Sequence, residues 1–286
     1  MAGLVPAIHV FPMRFRKIVD ARHKAGHDEE GLGSPGGEWR LMAAAASLRA
    51  MWIRLALASA LLAGSYAAAI AAPARIVILT NAEAADAWRL CETGQQRAQG
   101  LRYNYLGGKA AKSLFEDGEP PAFFFTITPL TVATATPASL SWRKPVIHYS
   151  VLPQDDAKKT EEALHERTRE AAGNILNNPA LRGKTVVMVW DRRHIADPDF
   201  DAKYERESAV TLRQLFHLDI VPGVPREWPE GNHDYFWIVD FPDGSNVPLK
   251  FEMVKQDFGK SFPNVPANAW GEPSGLDPAS GCAAAP

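Results

Sequence analysis

The chain has 286 residues, 46% of them hydrophobic, with 31 Lys and Arg against 33 Asp and Glu for a formal net charge of −2. That apolar content excludes a disordered chain, and the balanced charge excludes a broad nucleic-acid-binding surface. Two cysteines exclude both a disulfide-dense scaffold and a Cys-rich zinc module.

Residues 1–50 mix Gly, Pro and charge without a sustained period, as in Gly31-Leu32-Gly33-Ser34-Pro35-Gly36-Gly37. Residues 51–72 then give a basic start at Arg54, an apolar run from Leu55 to Leu62 and small residues before Pro73. This is the order of parts of a secretory signal peptide with an A-x-A-like cleavage site. An uncleaved anchor and a buried helix are the competing readings. Against the anchor, the strongly apolar section is shorter than the roughly 20 residues a bilayer span requires, and Gly64, Ser65 and Tyr66 interrupt it. A signal belongs at the start of a chain, and Met42 and Met51 both stand where initiation would put it there. Residues 1–50 are therefore expected to be an over-extended, unstructured start. The protein is expected to be exported, periplasmic or secreted, and free of the membrane after cleavage. Without residues 1–71 the balance is 23 basic to 28 acidic residues, about −5, which suits solubility and not polyanion binding.

One domain is expected over residues 73–260. Residues 75–79 (RIVIL) form a β-branched run suited to a strand buried on both faces. Ala87, Leu90, Ala98, Leu101 and Tyr105 predict a helix over 85–106, ended by Gly107-Gly108. Residues 122–127 (AFFFTI) predict a second strand stopped by Pro129, and 146–151 a short third. Ala163, Leu164, Ala171, Ile175 and Leu176 predict a helix over 155–178, and 185–190 (TVVMVW) form the strongest strand. A helix over 204–216 follows, then strands over 235–241 and 249–254 joined through Pro242-Asp243-Gly244. Residues 261–286 are expected to be an extended tail. This alternation predicts a three-layer α/β sandwich around a mostly parallel sheet, with its site at the carboxyl ends of the strands.

Those ends carry Thr80-Asn81-Ala82-Glu83, Thr128-Pro129-Leu130-Thr131-Val132 and Trp190-Asp191-Arg192-Arg193-His194. The first predicted helix adds Thr93-Gly94 and Arg97-Ala98-Gln99. In order and spacing these segments resemble the histidine phosphatase superfamily, the phosphoglycerate-mutase-like proteins, over residues 74–241. The resemblance implies a histidine-phosphatase-like fold in which one His attacks phosphorus while two Arg and a second His hold the phosphoryl oxygens.

The departures from that pattern are specific. Thr80 and Asn81 stand where the family has Arg-His, and the second Arg falls on Val132. The second His falls on Arg192, or on His194 two residues later, while Glu83 keeps the family's Glu position. An amide nitrogen is not basic, so Asn81 cannot accept a phosphoryl group, and Val132 offers no donor. Loss of one oxyanion donor costs about 10²–10³ in rate; loss of the nucleophile removes the covalent route. The resemblance so amended implies a pseudoenzyme with a binding or interaction role toward a small molecule or a protein. The alternative is a divergent phosphomonoesterase rebuilt around His194, Arg192 and Glu83. Thr80, Asn81 and Val132 suit a neutral or apolar ligand better than a phosphate.

Each candidate has a plainer reading beside the functional one. Glu83 orients a ligand or stabilises a helix N-terminus. His194 pairs with Asp191 or Asp197 in the pocket, or lies at the surface. Arg192-Arg193 bind an anion or belong to a solvated loop. Asp155-Asp156 reads as a helix cap. His233-Asp234, similar to the His-Asp dipeptide of acid phosphatases in the superfamily, reads as a turn before a strand. Cys91 and Cys282, in an oxidising compartment, either join the tail to the first helix or remain free thiols. No metal-ligand spacing or phosphate-binding glycine loop stands out, so no metal, cofactor or nucleic-acid partner is expected.

Overall fold

The computed structural model describes residues 72–115, 119–272, 275–276 and 280–283. The expected start region, and the expected signal up to residue 71, lie outside the described residues.

Six strands form one sheet in the order β3-β2-β4-β1-β5-β6. They are β1 (Arg75–Thr80), β2 (Phe124–Thr126), β3 (Val146–His148), β4 (Thr185–Trp190), β5 (Tyr235–Asp240) and β6 (Lys250–Lys255). The first four are parallel, β5 pairs antiparallel with β1, and β6 pairs antiparallel with β5. Successive side chains of a strand point to opposite faces. In β1, Ile76 and Ile78 accordingly enter one buried layer while Val77 and Leu79 enter the other. A β-branched run without polar interruption is what such two-sided burial requires.

Two helices cover the second of these faces, α1 (Glu92–Leu101) and α2 (Pro129–Trp142), contributing Leu101, Ala135 and Ala138. The opposite face is covered by α3 (Ala157–Asn177), with Ala171, Ala172 and Ile175 turned inward. The short α4 (Arg192–Ile195) and α6 (Leu212–Leu215) add Ile195 and Leu212 there, beside α5 (Pro198–Lys203). The fold is thus a three-layer, mostly parallel α/β sandwich. Among the described residues, no helix is long and apolar enough to cross a membrane.

Local chemistry sets where the helices begin and end. Thr128 caps α2 with a reciprocal Thr128–Thr131 capping box and Pro129 in the first turn. Asp156 caps α3 by accepting from the Lys158 N–H. The helix expected over 85–106 starts only at Glu92, because the Asp86 carboxylate accepts from the Trp88 and Arg89 N–H groups and holds a turn instead. Past Leu101 it widens into a π-helical turn, Arg102–Leu106. The helix expected over 204–216 is replaced by a 3-10 turn, Arg206–Ser208, and α6, since the Thr211 side chain caps a new start at Gln214 N–H. Three helices went unforeseen. Thr-rich α2 hid behind Pro129 and Pro137, α5 starts at Pro198 under the Asp197 cap, and the short α4 is a single turn capped by Asp191.

The chain leaves β1 toward α1 on one face and leaves β4 toward α4 on the other. These two strands are neighbours, so their carboxyl ends diverge and a crevice opens between them.

Candidate binding pocket

Beside that crevice lies a buried charge cluster built on Arg97 of α1. Its guanidinium donates from Nε to both Glu83 oxygens at 3.0 Å and from Nη2 to Glu83 Oε1 at 2.7 Å. Nη2 also lies 2.9 Å from Asp234 Oδ1, and all three side chains are 1% exposed or less. Nη1 donates to Gln256 Oε1 at 3.0 Å, Nη2 to the Pro266 carbonyl at 3.1 Å, and Asn268 donates to Asp234 Oδ2 at 2.9 Å. One arginine therefore joins the exit of β1, the start of β5, the end of β6 and the chain beyond residue 265. Burial raises the Glu83 pKa, but the Arg97 charge, with help from His233, outweighs it and holds the carboxyl at about 2. Gly94 makes the approach possible: a Cβ there would lie 2.0 Å from the Glu83 carbonyl oxygen.

The crevice itself is a pocket of about 270 Å³. Thr80, Asn81 and Glu83 line it from β1, Asp191, Arg192 and Arg193 from β4. Thr128, Leu130 and Leu164 come from the helix layers, and His233 from the approach to β5. His233 Nδ1 donates to the Asn81 carbonyl at 2.6 Å. A carbonyl can only accept, so the neutral ring carries its lone pair on Nε2, which has no hydrogen-bond partner among the described residues. Burial pulls the His233 pKa down, against the pull of Glu83, and favours that neutral form.

The arginines of the pocket differ. Arg193 is bound to Asp197 at 2.7 Å and to Glu161 at 3.1 Å, and stacks over Phe200. Arg192 makes one hydrogen bond, to the Trp228 carbonyl at 3.3 Å, and no ion pair among the described residues. Asp191 accepts from His194 Nδ1 at 2.6 Å, and His194 Nε2 meets His165 Nδ1 at 2.8 Å. Burial raises the Asp191 pKa, but the hydrogen bond and charge of His194 override it and leave it lowered. Burial, reinforced by the neighbouring His194, brings His165 down to about 4.

A disulfide joins Cys91 to Cys282 across 191 positions. The Ala283 N–H donates to the Ala84 carbonyl at 2.7 Å, and Leu276 and Ala283 form part of the pocket wall. The tail expected to be simply extended is packed: Val265 is buried, and Trp270 packs against Trp228, Tyr235 and Trp237.

The expected site residues are thus only partly brought together. Thr80, Asn81, Glu83 and Arg192 share the pocket. Val132, in the first turn of α2, is half-buried and outside its lining. His194 is buried with both ring nitrogens engaged and does not line the pocket that holds Arg192 and Glu83. Glu83 is a buried ion-pair partner and not a helix-terminus carboxylate. His233-Asp234, read as a turn, supplies the pocket's imidazole and a buried carboxylate. Among the described residues, no cluster of His, Cys, Asp and Glu could hold a metal ion.

No protein-family model matches the sequence, and no curated protein matches it. Among solved structures, the chain is similar to the "putative phosphohistidine phosphatase SixA" from Agrobacterium tumefaciens. The two share 12% identity over 63% of this chain and 97% of that one, with a TM-score of 0.31.

Proposed function

We propose that this is an exported, non-catalytic relative of the histidine phosphatases that holds a small, weakly polar ligand in the pocket between β1 and β4. The observation that carries the reading is the occupation of the pocket's charges. Glu83 is locked to Arg97, Arg193 to Asp197 and Glu161, and Asp191 to His194. Thr80 and Asn81 occupy the end of β1, where the resemblance calls for a cation and a nucleophile. A phosphate ester would find one unpaired cation, Arg192, beside two carboxylates. A ligand with an apolar body and one or two hydrogen-bonding groups fits Thr80, Asn81, Leu130 and Leu164 better. Export is supported by the order of parts in residues 51–72 and by a bonded cysteine pair suited to an oxidising compartment.

A second reading rests on His233. With Nδ1–H fixed on a carbonyl, its Nε2 is a free base in the pocket, as a general base or nucleophile requires. The purified protein should fail to hydrolyse phenyl phosphate between pH 4 and 8. Turnover that disappears in His233→Ala would overturn the non-catalytic reading and establish the second one.

A further inference from the structure

A second cavity lies at the other end of the sheet. Helix α2 starts beside the carboxyl end of β2 and finishes at Trp142, just before β3 begins at Val146. Its last turn and the π-helical turn after α1 enclose a cleft of about 520 Å³, within the range of small-molecule sites. Arg102, Lys109 and Arg143 line it, with Tyr103 and Trp142 as aromatic walls. No acidic side chain lines it among the described residues, and none of the three cations makes an ion pair there.

The backbone shapes this cleft. A π-helical turn, a geometry frequent at functional sites, carries Arg102 and Tyr103, with the Arg102 guanidinium 4.9 Å from the Tyr103 ring centroid. Gly107 and Gly108 then lie flat against α2. A Cβ at Gly107 would sit 2.2 Å from the Arg102 carbonyl oxygen, and one at Gly108 would sit 3.3 Å from the Trp142 ring. The Gly108 N–H donates to Ser141 Oγ at 3.0 Å, and the Trp142 indole N–H donates to the Leu106 carbonyl at 2.8 Å. Arg143 follows in the left-handed conformation, φ 54°, which turns the chain sharply at the rim.

We propose that this cleft is a binding site for a phosphorylated small molecule with at least two negative charges and an apolar body. Guanidinium groups match phosphate oxygens with two parallel N–H donors, and a lysine adds a point charge. Three cations with no carboxylate among the described lining residues leave a charge deficit that a dianion fills. Tyr103 and Trp142 offer the body an apolar wall. The pocket, where Arg193 is matched by Asp197 and Glu161, offers an anion Arg192 alone among its described cations.

The test is a calorimetric titration of the disulfide-intact protein with phenyl phosphate, with inorganic phosphate and benzoate as separate arms. Phenyl phosphate should bind more tightly than either. Arg102→Gln and Arg143→Asn should each weaken it about tenfold, whereas Arg192→Gln in the pocket should not. Asn tolerates the left-handed backbone, and an unchanged circular dichroism spectrum certifies each variant's fold. Benzoate binding as tightly as phenyl phosphate, affinity indifferent to Arg102 and Arg143, or loss of binding in Arg192→Gln would each overturn the proposal.

Discussion

The pocket and the cleft sit at opposite ends of the same parallel strands and treat charge in opposite ways. At the pocket end, acidic and basic side chains are brought inward and, Arg192 apart, matched, with Arg97 beside the pocket serving Glu83 and Asp234 at once. In the cleft, Arg102, Lys109 and Arg143 stay at the surface with no carboxylate among the described residues to quench them. The difference teaches that the number of charges in a site says little about its appetite for ions. A buried matched pair pays its desolvation through its partner and has nothing left for a ligand, while solvated unmatched cations keep their full reach.

The sharpest way to break this contrast is to remove one matched charge and one unmatched charge. Arg97→Met leaves two carboxylates buried without a cation and should cost about 3–5 kcal/mol in urea unfolding. Arg102→Gln, a surface change, should stay within about 0.5 kcal/mol. Similar costs for the two would end the distinction between a structural and an available cation. A smaller effect is expected from the tether. Cys282→Ser frees the wall carrying Leu276 and Ala283, and should lower stability by about 2–4 kcal/mol while leaving phenyl phosphate affinity as it was.

The mildest effect is a pH dependence confined to the pocket end. His165 stays neutral in the native protein down to about 4, against an ordinary 6.5. The unfolded chain therefore takes up its proton first, and stability is lost as pH falls from 6.5 toward 4. Glu83, held at about 2 against 4.5, contributes stability above about 4.5 that is lost as pH falls through 2. Urea midpoints measured between pH 7 and 2 should show both declines. Glu83→Gln should remove the lower one, and a level profile from 6.5 to 4 would contradict the buried, neutral state of His165.

Much of the scaffold was readable because its signals are local. The RIVIL and TVVMVW runs specify two-sided burial by themselves, and the stripe on α3 follows the helical period with Asp156 as its cap. The charge cluster was not readable, since Arg97 meets Glu83, Asp234, Gln256 and Pro266 only after the sheet is assembled. His233 was passed over for a topological reason. A search at strand carboxyl ends suits parallel strands, but β5 runs antiparallel to β1, so its beginning reaches the site. The available signals were the polar pair His233-Asp234 directly before the apolar run YFWIV and its similarity to the superfamily's His-Asp dipeptide. Likewise His194 has the right residue type at the right strand end, yet its side chain is claimed by Asp191 and His165.

The segment near Cys282 gives the pocket a history as well as a wall. Thr80 is made early, but β1 gains its sheet neighbours only with residues 185–190 and 235–240, and the wall completed by Ala283 is tied down by a bond spanning 191 positions. Until then the crevice is a half-built mould. The complete wall exists only once the chain has been made as far as Ala283.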